Sequence, residues 1–322
     1  MQVGIERGGK VVIVRTLQIT LAGLLLLAAG CRKAKPAAGD LTGSLLSGGV
    51  ERTYVYRLPT SLDPAQKPWP MVLALHGRLG TGAQQEQLTH FSTLADKEGF
   101  IVVYPDGVEK SWADGRPGSP AQEKGIDDVA FLSALIDEFV NNQGADKTRV
   151  FVAGMSNGAM MSYRLACDLS DKVAAIGPVA GLMYTGIVDT CKPKRPVPVM
   201  IFAGTEDPLM PYEGGPVGSD TGGEVLSAVK TLETWAKLNG CQGEPTQSTP
   251  TDADPNDGTT LTLSTASGCS AGAEVKLFTV NEGGHTWPGG NQYLPEGFIG
   301  KTSRDVDASQ TLWEFFKAHP MQ

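Results

Sequence analysis

Val150-Phe151-Val152-Ala153-Gly154-Met155-Ser156-Asn157-Gly158-Ala159 joins an apolar, β-rich run to a helical pattern through a G-x-S-x-G turn. A serine on so tight a strand-to-helix turn takes strained backbone angles, and side chains on its flanks would collide with the neighbouring strand or helix, so glycine is needed there. The strain lifts the hydroxyl clear of the sheet. The stretch therefore predicts an activated nucleophile at Ser156, against the plainer reading of a turn serine.

Around this elbow, short β-rich runs alternate with helical ones. Thr53 to Leu58, Met71 to Leu75, Ile101 to Tyr104, Arg149 to Ala153, Ala174 to Val179, Val199 to Ala203 and Val275 to Val280 read as strands. Leu88 to Glu98, Asp128 to Asn141, Gly158 to Asp168, Val225 to Leu238 and Asp307 to Ala318 read as helices. That alternation predicts an α/β fold, a mostly parallel twisted sheet with helices on both faces and functional residues at the carboxyl ends of the strands.

A serine hydroxyl needs a base, and the base needs an orienting group. The chain has four histidines, few enough for elimination. His76 ends an early strand, His90 sits on a helical pattern and His319 is near the C-terminus, whereas His285 lies in the glycine-rich loop after the last strand. Asp207, in Gly204-Thr205-Glu206-Asp207-Pro208 after the run Val199 to Ala203, is the expected carboxylate, with Glu206 as its alternative. The order Ser156, Asp207, His285 is the order of α/β-hydrolases, and other serine hydrolases use different ones. An oxyanion hole is expected from the backbone N–H of Asn157, beside a helix N-terminus, and that of Arg78 in His76-Gly77-Arg78. His76 is then a structural loop residue.

Taken together, His76-Gly77, Gly154-Met155-Ser156-Asn157-Gly158, Asp127-Asp128-Val129-Ala130-Phe131, Gly204-Thr205-Glu206-Asp207-Pro208 and Gly284-His285-Thr286-Trp287-Pro288-Gly289-Gly290 resemble the polyhydroxybutyrate depolymerase and feruloyl esterase-like branch of the α/β-hydrolases. The resemblance runs from about Glu51 to the C-terminus and implies an exported enzyme that cleaves polyester or cell-wall ester bonds without a cofactor. Arg78-Leu79 departs from the smaller residues that the branch has after its His-Gly pair. Asp127 and Asp128 also read simply as helix N-terminal residues. Trp287 and Trp112 are candidate substrate-contacting aromatics, with ordinary packing as the other reading. The short segment from Val179 to Val199 leaves no room for a large lid, so the site should be open.

Composition frames these expectations. Hydrophobic residues make up 41% and charged residues 19%, a globular balance with ample core material. A net charge of −8 repels phosphate backbones and argues against nucleic acid as a partner. Residues 1–30 read as an export signal, ending in Ala28-Ala29-Gly30 before Cys31, which resembles a lipoprotein lipidation site and would anchor the chain to the membrane. Residues 31–50 read as a flexible tether and 51–322 as one catalytic domain, with the stretch Gln247 to Thr265, rich in Thr, Ser, Asp and Gly, as a surface excursion. Cys167 with Cys191 and Cys241 with Cys269 are the expected disulfides, being the local pairing of three possible. None of these cysteines has zinc spacing, so no metal is expected. The favoured substrate class is polyhydroxyalkanoate or polyester oligomers, with feruloyl and acetyl xylan esters as the alternative. An inactive polymer-binding lipoprotein and a peptidase are the rivals.

Overall fold

The computed structural model describes residues 39–59, 61–218 and 222–322, so the expected leader and Cys31 lie outside the described residues. Its strands are β1 (Leu41–Ser47), β2 (Val50–Arg57), β3 (Trp69–Leu75), β4 (Ile101–Pro105), β5 (Ala145–Met155), β6 (Ala175–Val179), β7 (Val199–Gly204), β8 (Gly215–Pro216), β9 (Glu224–Val225), β10 (Thr246–Ser248), β11 (Thr260–Ala266) and β12 (Val275–Asn281). Ten of them form one sheet in the order β1-β2-β4-β3-β5-β6-β7-β12-β11-β10. From β4 through β12 every neighbouring pair is parallel, and antiparallel pairs occur only toward the two edges.

The central strands are apolar nearly throughout because both faces are covered. Successive side chains point to opposite faces. Val150 and Val152 join the core under the helices Asp128–Glu138 and Asn157–Asp168. Phe151 between them turns to the other face and stacks on Phe316 of the helix Ala308–Ala318, ring centroids 4.9 Å apart. The expected helix Leu88 to Glu98 is two helices, Gly82–Thr89 and Phe91–Glu98, because His90 takes a left-handed φ of 54° and its N–H closes the first of them.

Two expectations are corrected. The tether was drawn to residue 50, yet Leu41–Ser47 is a strand hydrogen-bonded along its length to β2. Gly48 and Gly49, with φ of 58° and 77°, make the two-residue turn between Ser47 and Val50. Positive φ at both turn residues matches the right-handed strand twist, and a Gly-Gly pair supplies it without strain. At the opposite edge, the Thr- and Ser-rich stretch expected to be a surface excursion instead provides β10 and most of β11.

Both expected disulfides are present, Cys167–Cys191 and Cys241–Cys269. They belong with an oxidising, extracytoplasmic setting. Among the described residues no helix is long and apolar enough to cross a membrane.

His76, just past β3, is buried and works as a staple. Its Nδ1 faces the Gly77 carbonyl at 2.7 Å, and its Nε2 accepts the Gly107 N–H at 2.9 Å. That pairing fixes a neutral ring with the proton on Nδ1, since a proton on Nε2 would meet another donor. Burial, the largest cause, pushes its pKa from the usual 6.5 down to about 4.

Two predictions follow from these contacts. Cys167–Cys191 closes a loop with a sequence separation of 24. Replacing both cysteines by serine should cost about 3 kcal/mol of unfolding free energy, and a loss near zero would show that the bond constrains nothing. Between pH 6.5 and 4 the unfolded chain protonates His76 while the folded one does not, so stability falls with pH across that window. Comparing denaturant unfolding at pH 7 and pH 5, the drop should be smaller by about 2 kcal/mol in His76→Gln than in wild type. Equal drops would contradict a neutral buried ring.

Candidate active site

The carboxyl ends of β5, β6, β7 and β12 lie side by side, and the expected residues follow three of them. Ser156 comes directly after β5 with φ 55° and ψ −118°, a strained conformation for a residue with a side chain. Its N–H donates to the Val179 carbonyl at the end of β6, 2.9 Å away, and its carbonyl accepts the Met160 N–H. The two motif glycines are there for space. A Cβ on Gly154 would overlap the Gly158 carbonyl, and one on Gly158 would overlap the carbonyls of Leu75 and His76.

Asp207 sits just beyond β7. Its Oδ1 accepts the N–H groups of Leu209 and Met210, each at 2.8 Å, and its Oδ2 lies 2.8 Å from His285 Nδ1. Side-chain exposure is 5% for the histidine and 2% for the aspartate, so water does not compete for the pair. A carboxylate can only accept here, so the ring proton sits on Nδ1 and Nε2 is left with a lone pair. Glu206, the alternative carboxylate, is exposed, and its backbone N–H donates to Gly283.

The loop that carries His285 is tied down at several points. The His285 N–H donates to the Ile299 carbonyl at 2.6 Å, Gly284 N–H to Lys301, and the Tyr293 hydroxyl to the His285 carbonyl at 2.8 Å. Burial of that hydroxyl, together with the Asp207 charge, raises the phenol's pKa. Of the other histidines, His76 is the staple described above, and His319 faces the Phe315 carbonyl in the last helix.

The loop after β3 brings Gly77 against the serine. A Cβ there would lie 3.4 Å from that of Ser156 and 4.0 Å from its hydroxyl oxygen. In the same loop, Leu79 N–H is spent on Lys110 and Gly80 N–H on Gly77. Among the described residues, the N–H groups of Arg78 and Asn157 have no backbone acceptor, so both are free to receive a developing negative charge. The N-terminal end of the helix Asn157–Asp168 adds its positive dipole at the same place.

Sequence reasoning missed the brace behind this arrangement. The Asn157 side chain accepts from Trp112 N–H at 2.7 Å and donates to Trp112 O at 3.1 Å and to Asp114 Oδ2 at 2.6 Å. Asp114 is buried and pairs with Arg116. Asp128, read as a helix N-terminal residue, is buried and accepts from Arg52 at 2.6 Å and from Ala113 N–H at 2.7 Å, while Asp127 is the helix cap. Burial raises the Asp128 pKa against the pull of Arg52. The Ser111-Trp112-Ala113-Asp114-Gly115 loop was the only sequence signal for this network.

The two tryptophans are corrected as substrate contacts. Trp112 is 0% exposed, with its Nε1 on the His76 carbonyl, and Trp287 is 1% exposed, with its Nε1 on Ser309. Each packs beneath the site and offers no surface to a ligand.

Comparison with known proteins agrees with this geometry. Residues 53–208 match the family described as Esterase PHB depolymerase, a range that includes Ser156 and Asp207 and stops before His285. The chain is 29% identical to the Nocardia uniformis subsp. tsuyamanensis protein NocK, over 82% of this chain and 79% of that protein. It is 32% identical to feruloyl esterase B of Piromyces equi over 73% of this chain, and it spans only 42% of that enzyme's length. The solved acetyl xylan esterase from Aspergillus awamori shares the fold, with a TM-score of 0.53 at 17% identity, covering 76% of this chain and 94% of that one. Residues 53–208 thus carry an Esterase PHB depolymerase domain, the chain has the fold of α/β-hydrolase esterases, and its reaction class is the hydrolysis of carboxylic esters.

Proposed function

We propose that the chain hydrolyses polyhydroxyalkanoate or related polyester oligomers through an acyl-enzyme on Ser156. The observation that carries this reading is the buried 2.8 Å pair of His285 Nδ1 and Asp207 Oδ2, in loops at the carboxyl end of the sheet that also carries Ser156 on its strained elbow. His285 Nε2 takes the proton from Ser156 Oγ as the oxygen attacks the ester carbonyl. The charge that develops on the carbonyl oxygen goes to the N–H groups of Asn157 and Arg78. His285 then returns the proton to the leaving alcohol. Water repeats the sequence to release the acid. Asp207 holds the ring in its tautomer and stabilises the imidazolium, without taking the proton itself.

Support for an oligomeric, apolar substrate comes from the loops around the site. Leu79, Leu209, Tyr293, Leu294 and Phe298 are all at least 42% exposed, and they lie on the three loops that follow β3, β7 and β12. Exposed apolar side chains on connections at the carboxyl end of the sheet suit a surface that binds something apolar. The short connection between β6 and β7 fits an open site. The second reading, a feruloyl or acetyl xylan esterase, rests on relatives that bear those names, feruloyl esterase B and the bifunctional acetylxylan esterase/xylanase of Neocallimastix patriciarum. The proposal includes export and lipidation at Cys31, so that the enzyme works at the cell envelope.

A fluorophosphonate probe should label wild type and fail to label Ser156→Ala, whose esterase kcat should fall by a factor on the order of 10^6. Asp207→Asn should lose about 10^4 in kcat. An undiminished rate in Ser156→Ala would falsify the mechanism. A panel of hydroxybutyrate oligomers, methyl ferulate and acetylated xylan decides between the two substrate readings by which is turned over fastest.

A further inference from the structure

Arg78 stands apart from the other arginines among the described residues. Each of those donates to a carboxylate or to backbone carbonyls. The Arg78 side chain does neither among the described residues, and its Nε, like those of Arg52 and Arg195, is buried without a hydrogen-bond partner. A guanidinium keeps its charge at any pH a protein survives, and its planar donors match a carboxylate two at a time. A half-buried guanidinium to which the described fold offers no acceptor can take one from outside.

Its backbone setting says where that acceptor would be. Arg78 follows Gly77, which lies against Ser156, and precedes Leu79, held at φ 68° by its N–H bond to the Lys110 carbonyl. The turn is closed by Gly80 N–H on Gly77 O at 3.0 Å, so the main chain at Arg78 is fixed while no group among the described residues claims its side chain. The one carboxylate built into the site cannot serve, because Asp207 is already filled by His285 and two N–H groups. Lys110, whose carbonyl holds this turn, is exposed and adds a second positive charge. These charges oppose a chain whose net charge is −8, so a substrate anion finds local attraction beside the nucleophile that the molecule as a whole does not offer.

We infer that Arg78 is a specificity-determining residue that selects esters bearing a carboxylate within a few bonds of the scissile carbonyl, with Leu79, 61% exposed, against the neighbouring alkyl chain. A hydroxy-acid oligomer with a free carboxyl end has this chemistry: an ester, a short apolar branch and a terminal anion. The inference rests on the ester-hydrolase reading above and narrows its substrate class.

The test compares a hydroxybutyrate dimer as the free acid with the same dimer as its terminal amide. The ester bond is identical and one charge differs. Wild type should prefer the acid by at least tenfold in kcat/KM, chiefly through KM, and added salt should shrink that preference. In Arg78→Ala the acid-to-amide ratio should fall to about one, and Arg78→Lys should recover part of it. Any loss common to both substrates, such as a disturbed oxyanion hole, cancels in the ratio. A ratio that is already near one in wild type, or that Arg78→Ala leaves unchanged, overturns the inference. If wild type leaves both dimers intact, the polyester reading fails on its own. The ratio for the nitrophenyl half-ester of adipic acid against nitrophenyl hexanoate then decides the role of Arg78.

Discussion

Everything in the site hangs on a serine kept at φ 55° and ψ −118° at the end of a buried strand. Such a backbone costs on the order of 1–3 kcal/mol and persists only where its surroundings over-determine it. Here they do. The Ser156 N–H is bound to the end of the next strand, and the Gly158 main chain is pressed against the carbonyls of Leu75 and His76. The strand behind it is apolar on both faces and locked between β3 and β6. The sheet therefore acts as a rigid mount, and the half-buried Ser156 is its tip.

The aspartate and the histidine are positioned by the same kind of close backbone packing. Gly204, at the end of β7, lies against the carbonyls of Gly283 and Gly284, which brings the aspartate loop and the histidine loop into contact. The hydrogen bond between Asp207 and His285 then forms out of water, where it fixes one tautomer of the ring. On the far side of Ser156, Asn157 serves twice. Its main chain offers an N–H to the site, and its side chain grips Trp112 and Asp114.

That grip makes the loop 111–116 part of the active site without its touching a substrate. Asp114 with Arg116 and Asp128 with Arg52 are buried ion pairs, and a buried pair stabilises only when its remaining donors and acceptors are satisfied. Backbone N–H groups of Ala113 and Arg116 fill most of that need. The outcome is a dry, braced layer of polar groups behind the nucleophile, with Trp112 sealed inside it.

Sequence alone determined the elbow, the parallel sheet and both disulfides, and it supplied the three candidate catalytic residues as a proposal. Each of these is a local matter or a matter of order along the chain: a glycine-serine-glycine spacing, short apolar β-rich runs alternating with helical ones, cysteines that close short loops, a Ser-Asp-His sequence. It failed where the deciding neighbours are far away in the chain. The strand Leu41–Ser47 has little burial of its own and exists because β2 offers it hydrogen-bonding partners, though the Gly48-Gly49 turn was there to be read. Tryptophans 112 and 287 look like ligand contacts in a string of letters because an aromatic beside a catalytic loop carries no sign of which way it faces. Asp128 gains its partner from Arg52, a separation of 76 residues, and that Arg78 has none among the described residues shows only once those residues are packed. Local spacing fixes which atoms can do chemistry, but burial and pairing are properties of the packed whole, and only the tertiary structure decides them.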